Sequence, residues 1–355
     1  MLTLQSAAQW GLRVGDLPSG PRNSIADVPG VTVGHATVDT PQHKTGVTVV
    51  FPAQDNLFLR KMTAAAFVWN GFGKTTGLPQ VQELGVLETP IALTNTLNVG
   101  LVQDAMVEYT LERCRQEGFR AESVNAIVGE CNDCRLNDIQ HRAVDAALVR
   151  QAMASTGPDF AQGDVGAGKG TVCHGLKGGI GSASRQVELD GQVFTVGLLV
   201  QSNYGALRDL TLSGHTVGPK IEALLPAPEE PIREDKGSIM MILGTDLPLS
   251  DRQLGRVLRR CSVGLARLGS YVGHGSGEIM IGFSTAGRWD HQEERALLPA
   301  AQLREGALDP VFRAAADACQ EAVLHSMLFA RPVTGWDGLT IHALAEFLPQ
   351  ILPLG

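Results

Sequence analysis

The apolar segments of this chain are short, and most of them end at turns that contain glycine. Seven runs of four to eight mostly aliphatic residues are typical of buried strands: 46–51, 64–69, 91–94, 126–129, 194–201, 238–243 and 277–283. Four longer segments have helical spacing: 102–117, 139–154, 251–267 (with Ser250 as its N-cap) and 310–327. This combination predicts an α/β fold. Since 355 residues approach the limit of one simple core, we expect one large layered unit or two domains.

The charge and hydropathy of the chain argue against two classes of partner. A formal net charge of -8 and an isoelectric point near 5.6 disfavour nucleic acid. The longest apolar stretch, 193–200, is far shorter than the roughly 20 residues that span a bilayer. The N-terminal segment lacks the basic and apolar regions of a signal peptide. We therefore expect a cytoplasmic protein without nucleic-acid or membrane partners.

A polar segment meets an apolar strand at Gly237 and Ser238. Residues 226–236 combine prolines with charges, as exposed connections do, whereas 238–244 form an apolar run that a serine opens. Such a serine becomes a nucleophile if the preceding peptide bond is broken, because the freed α-amine is a base on the same residue. Glycine before it leaves the carbonyl unhindered and tolerates a strained backbone. Ser238 is therefore the candidate nucleophile, and Gly237–Ser238 is the candidate cleavage site.

Polar side chains near other predicted strands can support this nucleophile. Asn203 follows a strand and can donate its amide to an oxyanion, although spacing alone fits an asparagine turn better. Ser276 and Glu278 share a face if the segment is extended, and the alternative is a loop serine with an exposed glutamate. Glu130 opens a segment dense in carboxylates and amides, where helix capping is the alternative. His274, in a glycine-rich loop, is expected to be solvated.

The cysteines resemble part of a zinc or redox site, and two glycine-rich segments resemble phosphate-binding loops, but none of these motifs is complete. Cys131 and Cys134 form one CxxC, but no second pair or histidine cluster completes a zinc site, so inert thiols are favoured. Segment 163–170 lacks the Ser or Thr that follows the lysine of a phosphate-binding loop, and segment 70–77 lacks its first glycine. Tight turns explain both segments. We expect no metal ion and no cofactor.

Eight motifs along nearly the full length carry a resemblance to a known family. They are GVTVGH (30–35), NGFGKTTGLPQVQELG (70–85), TNTLNVG (94–100), ECND with LND (130–138), VGAGKGTVCHGLKGGIGSASR (165–185), QSNYG (201–205), GSIMMILGTDLPL (237–249) and GSGEIMIGFSTA (275–286). In this order they resemble the DmpA-type self-cleaving peptidases, the family of L-aminopeptidase/D-esterases and β-aminopeptidases. Several motifs in order are far more specific than any one of them.

The resemblance implies an αββα four-layer sandwich, in which two mixed sheets lie between layers of helices. It also implies that one layered domain, residues 1–355, cleaves itself after a linker at 226–237. The products would be a large subunit, 1–237, and a small subunit, 238–355. Family members hydrolyse N-terminal residues from short peptides, amides or esters through an acyl-enzyme. They assemble into homo-oligomers of cleaved units, and we expect the same here.

The resemblance also implies a role for each candidate residue. The matches are Ser238 to the nucleophile, Asn203 to the oxyanion donor, Ser276 and Glu278 to the residues that support the nucleophile, and Glu130 to the carboxylate that receives the substrate's ammonium group. One position departs from the family pattern. Relatives often carry an aromatic residue two positions after the carboxylate that matches Glu130, whereas this chain has Asn132 there. The shape of the substrate pocket is expected to differ accordingly.

Two other functions remain open at the level of the sequence. An acyltransferase of the ornithine acetyltransferase type shares the self-cleaving chemistry and the general architecture, and it would release an acylated amine instead of a free acid. A non-catalytic or thiol-based protein would be built around Cys131 and Cys134, and alkylation would abolish its function.

Overall fold

A computed structural model of the chain describes residues 2–225 and 237–354. The predicted exposed connection at 226–236 lies outside these described residues.

The strands are β1 (Thr32–Asp39), β2 (Lys44–Phe51), β3 (Arg60–Gly71), β4 (Val86–Leu87), β5 (Ile91–Asn95), β6 (Ile127–Cys131), β7 (Val172–Cys173), β8 (Leu176–Lys177), β9 (Gly179–Leu189), β10 (Gln192–Asn203), β11 (Thr211–Leu212), β12 (His215–Thr216), β13 (Ser238–Thr245), β14 (Gly277–Asp290), β15 (Val333–Thr334) and β16 (Thr340–Ile341). The α-helices are α1 (Leu78–Leu84), α2 (Val99–Gln116), α3 (Ala146–Ala154), α4 (Gly218–Glu222), α5 (Asp251–Leu258), α6 (Cys261–Arg267), α7 (Asp309–Leu328) and α8 (Leu348–Ile351). Within the described ranges, no helix is both long and apolar enough to cross a membrane.

Two mixed sheets contain most of the long strands. The four-stranded sheet has the order β1-β2-β5-β6, and β5 and β6 are parallel. The six-stranded sheet has the order β4-β3-β14-β13-β10-β9. In this sheet β13 lies between β10, which is antiparallel to it, and β14, which is parallel to it. The strand that begins with Ser238 is therefore internal to the larger sheet.

Three apolar clusters separate the chain into four layers. One cluster lies between the two sheets and includes Met240 and Ile242 of β13. A second lies between the six-stranded sheet and helices α5, α6 and α7, and it includes Ile239 and Met241 from the other face of β13. The third lies between the four-stranded sheet and helices α2 and α3. The order helix, sheet, sheet, helix confirms the predicted sandwich, and β13 is apolar because both of its faces are buried.

All seven predicted strands are present, and two long strands were missed. In the missed strands, β1 and β9, small or polar residues separate the few large buried apolar ones (Val33, Ile180 and Val187), so neither strand contains a continuous apolar run. In β9 the buried hydroxyl of Ser182 donates to the carbonyl oxygen of Leu198 at 2.7 Å. In β1 a Cβ atom on Gly34 would overlap the carbonyl oxygen of Ala152 in α3. Strand β1 contains glycine, and β9 contains glycine and serine, because the neighbouring backbone is so close.

The predicted helix at 139–154 begins later than expected. Residues Ile139–His141 form only a 3-10 turn, and Arg142 has a positive φ of 49° that ends it. Helix α3 begins at Ala146, where the carboxylate of Asp145 accepts a hydrogen bond from the N–H of Leu148 at 2.8 Å. The stronger N-cap lies inside the predicted helix and determines where it begins.

The predicted helix at 251–267 is two helices, α5 and α6. The predicted N-cap is confirmed, since Ser250 and Gln253 form a capping box at the beginning of α5. The chain turns at Arg259 and Arg260, and the guanidinium of Arg260 lies 3.9 Å from the centre of the Phe312 ring. No proline marks this break in the sequence.

The glycine-rich segments allow close backbone packing, as predicted. A Cβ atom on Gly168 would lie 2.5 Å from the backbone nitrogen of Ile180, and Gly77 has a φ of +80°. Both positions therefore require glycine for steric reasons.

The close packing of β9 on α7 predicts a large effect at Gly181. A Cβ atom there would overlap the carbonyl oxygen of Ala322 and lie 2.5 Å from the backbone nitrogen of Ser326. We expect Gly181→Ala to lower the free energy of unfolding by about 1–3 kcal/mol, because sheet and helix must separate. Chemical denaturation measures this. Gly100→Ala is the matched control, since an added Cβ there meets no atom within 4 Å. Equal stability of the two variants would contradict the packing.

Candidate active site

Ser238 opens β13 at the wall of a cavity of about 330 Å³. Its backbone is paired with Asn203, the last residue of β10, and with Gly277, the first residue of β14. Asn203, Glu130 and Asn132 line the same cavity. Gly237 lines it too, so the structure brings together five of the predicted site residues, which lie at the ends of β6, β10 and β13 or directly beside them.

Gly237 has no room for a side chain. A Cβ atom on this residue would overlap the carbonyl oxygen of Asn203 and lie 2.8 Å from its carbonyl carbon. The carbonyl oxygen of Gly237 accepts a hydrogen bond from the N–H of Gly277 at 3.1 Å. The backbone immediately before Ser238 is thus held between two neighbouring strands, and its carbonyl is polarised by an N–H donor.

The side chain of Asn203 has a defined orientation. Its Oδ1 accepts a hydrogen bond from the N–H of Val172 at 2.9 Å, and the residue is only 8% exposed. Because an N–H donor must face the oxygen of the amide, the NH₂ group of Asn203 points the other way. Asn203 differs from an ordinary turn residue, because it ends strand β10 and is paired with Ser238 of β13.

Ser276 and Glu278 are both fully buried, which corrects the alternative of a loop serine beside an exposed glutamate. The hydroxyl of Ser276 donates a short hydrogen bond to Oε1 of Glu278. The amide of Asn70 donates to the carbonyl oxygens of Gly273 at 2.9 Å and Ser276 at 2.5 Å, which holds this turn against β3. The pair flanks Gly277 beside Ser238, and it is not part of the described cavity wall.

Glu130 is a buried carboxylate held by two uncharged donors. It is 3% exposed, and its Oε1 accepts from the N–H of Lys74 at 3.0 Å. Its Oε2 accepts a short hydrogen bond from the hydroxyl of Thr96. In the part of the chain that the structure describes, no cationic side chain forms an ion pair with it. A buried carboxylate without a cation is suited to bind a positively charged ligand group.

The two thiols of the CxxC do not form an activated nucleophile. Cys131 is buried, with its sulfur 3.5 Å from the carbonyl oxygen of Ser238, and burial raises the pKa of its thiol. Cys134 lines the cavity and is exposed, so of the predicted buried or inert thiols it is one that is not buried. Desolvation and the carboxylate of Asp133 nevertheless raise the pKa of the Cys134 thiol. Thiolates are nucleophilic and thiols are not, so the structure disfavours thiol chemistry here.

Asn132 lies in the cavity wall, and its side chain shapes the turn that follows. Its Oδ1 accepts from the N–H of Cys134 at 3.0 Å. This local bond is typical of an asparagine turn, and it leaves the cavity without an aromatic side chain at this position. His274 is exposed, as predicted. Within the described ranges, no three His, Cys, Asp or Glu side chains are grouped to hold a metal ion.

Three residues of the site were missed by sequence reasoning, namely Thr96, Lys74 and Lys177. The first two touch Glu130, and only their motif context marks them. The fully buried ammonium of Lys177 donates to the carbonyl oxygens of Gly168 at 2.9 Å and of Thr171 and Gly178, each at 2.7 Å. These hydrogen bonds hold the backbone on both sides of Val172 in place, and the N–H of Val172 in turn orients the Asn203 amide. The sequence signal for Lys177 was the position of a lysine within a glycine-rich, apolar segment, which indicates a buried charge.

A serine that opens a buried strand of a four-layer αββα sandwich, beside an asparagine amide and a buried carboxylate, defines a serine hydrolase with the N-terminal-nucleophile architecture. The comparisons with known proteins make the class more specific. Residues 23–341 match the model of peptidase family S58. The chain belongs to peptidase family S58.

Relatives and solved structures agree with this assignment. The β-peptidyl aminopeptidases BapA of Sphingosinicella xenopeptidilytica and Sphingosinicella microcystinivorans are each 33% identical, over 92% and 97% of this chain and 85% and 92% of theirs. The PH0078 protein of Pyrococcus horikoshii OT3 superposes with a TM-score of 0.91 at 42% identity, over 98% of each chain.

Two further solved structures are named for their activity. A β-aminopeptidase from Burkholderia sp. gives a TM-score of 0.89 at 35% identity. The L-aminopeptidase D-Ala-esterase/amidase of Ochrobactrum anthropi, described as a prototype serine aminopeptidase with a variant of the Ntn hydrolase fold, gives 0.88 at 33%. Each superposition includes 98% of this chain and 98% of the other chain. The predicted family, fold class and aminopeptidase-type hydrolase are confirmed at this level.

The buried Lys177 predicts a pH dependence of stability. Desolvation lowers its pKa from 10.5 to about 7 in the folded chain. Between these values the unfolded chain binds more protons, so this residue makes stability rise with pH, by up to about 1.4 kcal/mol per pH unit. We expect Lys177→Met to be less stable, because buried carbonyl groups lose their hydrogen-bond donors, and to lose this rise between pH 7 and pH 9.

Unfolding free energies from denaturant titrations at several pH values measure this difference. The exposed Lys220→Met is the control and is expected to keep the wild-type slope. A slope that is the same in all three proteins would show that Lys177 keeps an ordinary pKa.

Proposed function

We propose that the chain cleaves itself between Gly237 and Ser238, and that the freed Ser238 then hydrolyses N-terminal residues from short peptides, amides or esters. The observation that carries the proposal is the position of Ser238. It opens an internal strand at a cavity wall, directly after a residue that has no room for a side chain. A nucleophile with a pinned, unhindered carbonyl beside it is suited to an intramolecular attack.

Maturation begins with attack of the Ser238 hydroxyl on the Gly237 carbonyl carbon. The peptide nitrogen leaves as the α-amine of Ser238, and the acyl group moves to the hydroxyl oxygen as an ester. Water then hydrolyses this ester to the Gly237 carboxylate. The N–H of Gly277, 3.1 Å from the Gly237 carbonyl oxygen, supports this step because it can stabilise the oxyanion.

Turnover uses the same hydroxyl with a different base. The α-amine of Ser238, with an ordinary pKa of about 8, is partly neutral near pH 7 and accepts the hydroxyl proton. The hydroxyl attacks the substrate carbonyl, the amine or alcohol leaves with a proton, and water hydrolyses the acyl-enzyme. Asn203 donates its NH₂ group to the oxyanion, a role that the bond from Val172 to its oxygen supports.

Ser276 and Glu278 assist the α-amine. A buried carboxylate beside the nucleophile's strand stabilises the ammonium that forms when the amine takes up a proton. The short hydrogen bond from Ser276 holds this carboxylate in place.

Glu130 binds the ammonium group of the substrate, which makes the enzyme specific for free N-termini. Its burial, and its two uncharged hydrogen-bond donors, support this role. Since two relatives are β-peptidyl aminopeptidases, substrates with an N-terminal β-amino acid are included in the proposal.

We also propose that the enzyme acts in the cytoplasm as a homo-oligomer of cleaved units. Six free thiols are typical of a reducing compartment. The homo-oligomer follows from the resemblance to the self-cleaving peptidases, which assemble from cleaved units.

Self-cleavage predicts two fragments in the purified protein, residues 1–237 and 238–355. The smaller fragment begins with Ser-Ile-Met-Met, which Edman sequencing and intact mass measure. Ser238→Ala is expected to remain one chain without activity above background, because the variant lacks both the maturation and the turnover nucleophile. The exposed Ser19→Ala is the control and is expected to mature normally. An active preparation that consists of the uncleaved chain would refute the proposal.

The role of Glu130 predicts discrimination against blocked substrates. Glu130→Gln is expected to lower kcat/KM for free peptides by about 10- to 100-fold, because one charge-assisted bond to the ammonium is lost. Its cleavage into two fragments should continue, since self-cleavage involves no free amine. The exposed Glu122→Gln serves as control. If N-acetylated peptides were hydrolysed as fast as free ones, the enzyme would be an endo-acting amidase instead.

A further inference from the structure

The active-site cavity contains two cationic side chains that the proposed mechanism does not use. Lys74 and Arg135 both line its wall, and both are exposed. The ammonium of Lys74 lies 4.5 Å from the centre of the Phe72 ring. Within the described ranges, neither side chain forms an ion pair with a carboxylate. This contrasts with the net charge of the chain, which is -8.

The backbone that carries Arg135 is held in a turn. The N–H of Cys134 donates to the Asn132 side chain at 3.0 Å, and the N–H groups of Leu136 and Asn137 donate to the carbonyl oxygen of Asp133 at 3.1 and 3.0 Å. Leu136, at the end of the turn, is fully buried and packs in an apolar cluster with Val333 and Ile341. The backbone from which the guanidinium projects is therefore fixed beside the cavity.

Lys74 is tied to the same site through its backbone. Its N–H donates to Oε1 of Glu130 at 3.0 Å, so its side chain begins next to the carboxylate that we assign to the substrate's ammonium group. The charged side chains that line the cavity carry a net charge of +1 when it is empty, and an ammonium group bound at Glu130 raises the positive charge of the site further. A second, anionic group on the same substrate is then favoured by both remaining cations.

We propose that Arg135, assisted by Lys74, forms a subsite for a carboxylate, and that the preferred substrates carry an ammonium and a carboxylate at once. The guanidinium presents a planar pair of donors that matches a carboxylate, and the ammonium adds a point charge. The carboxylate is either the C-terminus of a free dipeptide or an acidic side group on the N-terminal residue. This inference rests on the proposed aminopeptidase function.

The experiment compares pairs of substrates that differ by one carboxylate. The first pair is β-alanylglycine and β-alanylglycinamide, which tests the C-terminal source. The second pair is the aspartyl and asparaginyl p-nitroanilides, which tests the N-terminal residue. We expect the acidic member of at least one pair to have a kcat/KM about two- to fivefold higher, mainly through a lower KM, since ion pairs with exposed cations are weaker than the buried charge-assisted bond at Glu130. The preference should shrink as salt is raised from 0.05 to about 0.5 M.

The variants test which residue is responsible. In Arg135→Gln the acid-to-neutral ratio is expected to fall towards one, and in Lys74→Gln it is expected to fall in part. The exposed Arg120→Gln lies outside the cavity and is expected to keep the wild-type ratio. Circular dichroism and the two-fragment pattern verify that each variant has folded and matured.

Three outcomes would overturn the proposal. They are a ratio near one for both pairs in the wild type, an unchanged ratio in Arg135→Gln, and a ratio that is insensitive to salt. If all four substrates resist hydrolysis while the chain is cleaved, the aminopeptidase function itself fails and the subsite fails with it. If the neutral members are hydrolysed as well as the acids, the function stands and only the subsite is wrong.

Discussion

The close approach of Gly237 to the backbone of Asn203 is the constraint on which the site depends. No Cβ atom fits between them, so the chain enters β13 in one position, with Ser238 paired to Asn203 on one side and Gly277 on the other. Burial of both faces of β13 then fixes the strand in the core. The nucleophile is positioned by the rigid centre of the sheet, whereas a surface loop would leave it mobile.

In the cavity the negative charge is buried and the positive charges are exposed. Glu130 is desolvated and held by uncharged donors, so a ligand ammonium is the group that balances its charge. Lys74 and Arg135 lie at the accessible part of the same cavity and add positive charge. Burial of Cys131 and the raised pKa of Cys134 leave the neighbouring thiols protonated, so the serine is the stronger candidate nucleophile.

Sequence reasoning predicted the parts of the fold whose signal is local. Apolar runs revealed the strands with large buried residues, and the capping box at Ser250 marked the beginning of α5. Strand β9 was missed because its fit against α7 requires Gly181, which gives no apolar signal. Residue patterns supplied the candidate site residues with alternatives left open, and the resemblance to a family assigned a role to each. The orientation of Asn203 by Val172 and the donors to Glu130 arise from contacts between distant segments, which no local pattern contains.

The most direct test of the account is to trap the acyl-enzyme on Ser238. The matured protein is mixed with a slowly hydrolysed amino-acid ester, quenched in acid during turnover, and both fragments are weighed and mapped by mass spectrometry. The account predicts that the fragment 238–355 gains the mass of the acyl group and that the modified residue is Ser238. An acyl group on Cys134 or elsewhere in fragment 1–237, or sustained turnover by a chain that is neither cleaved nor acylated, would contradict it.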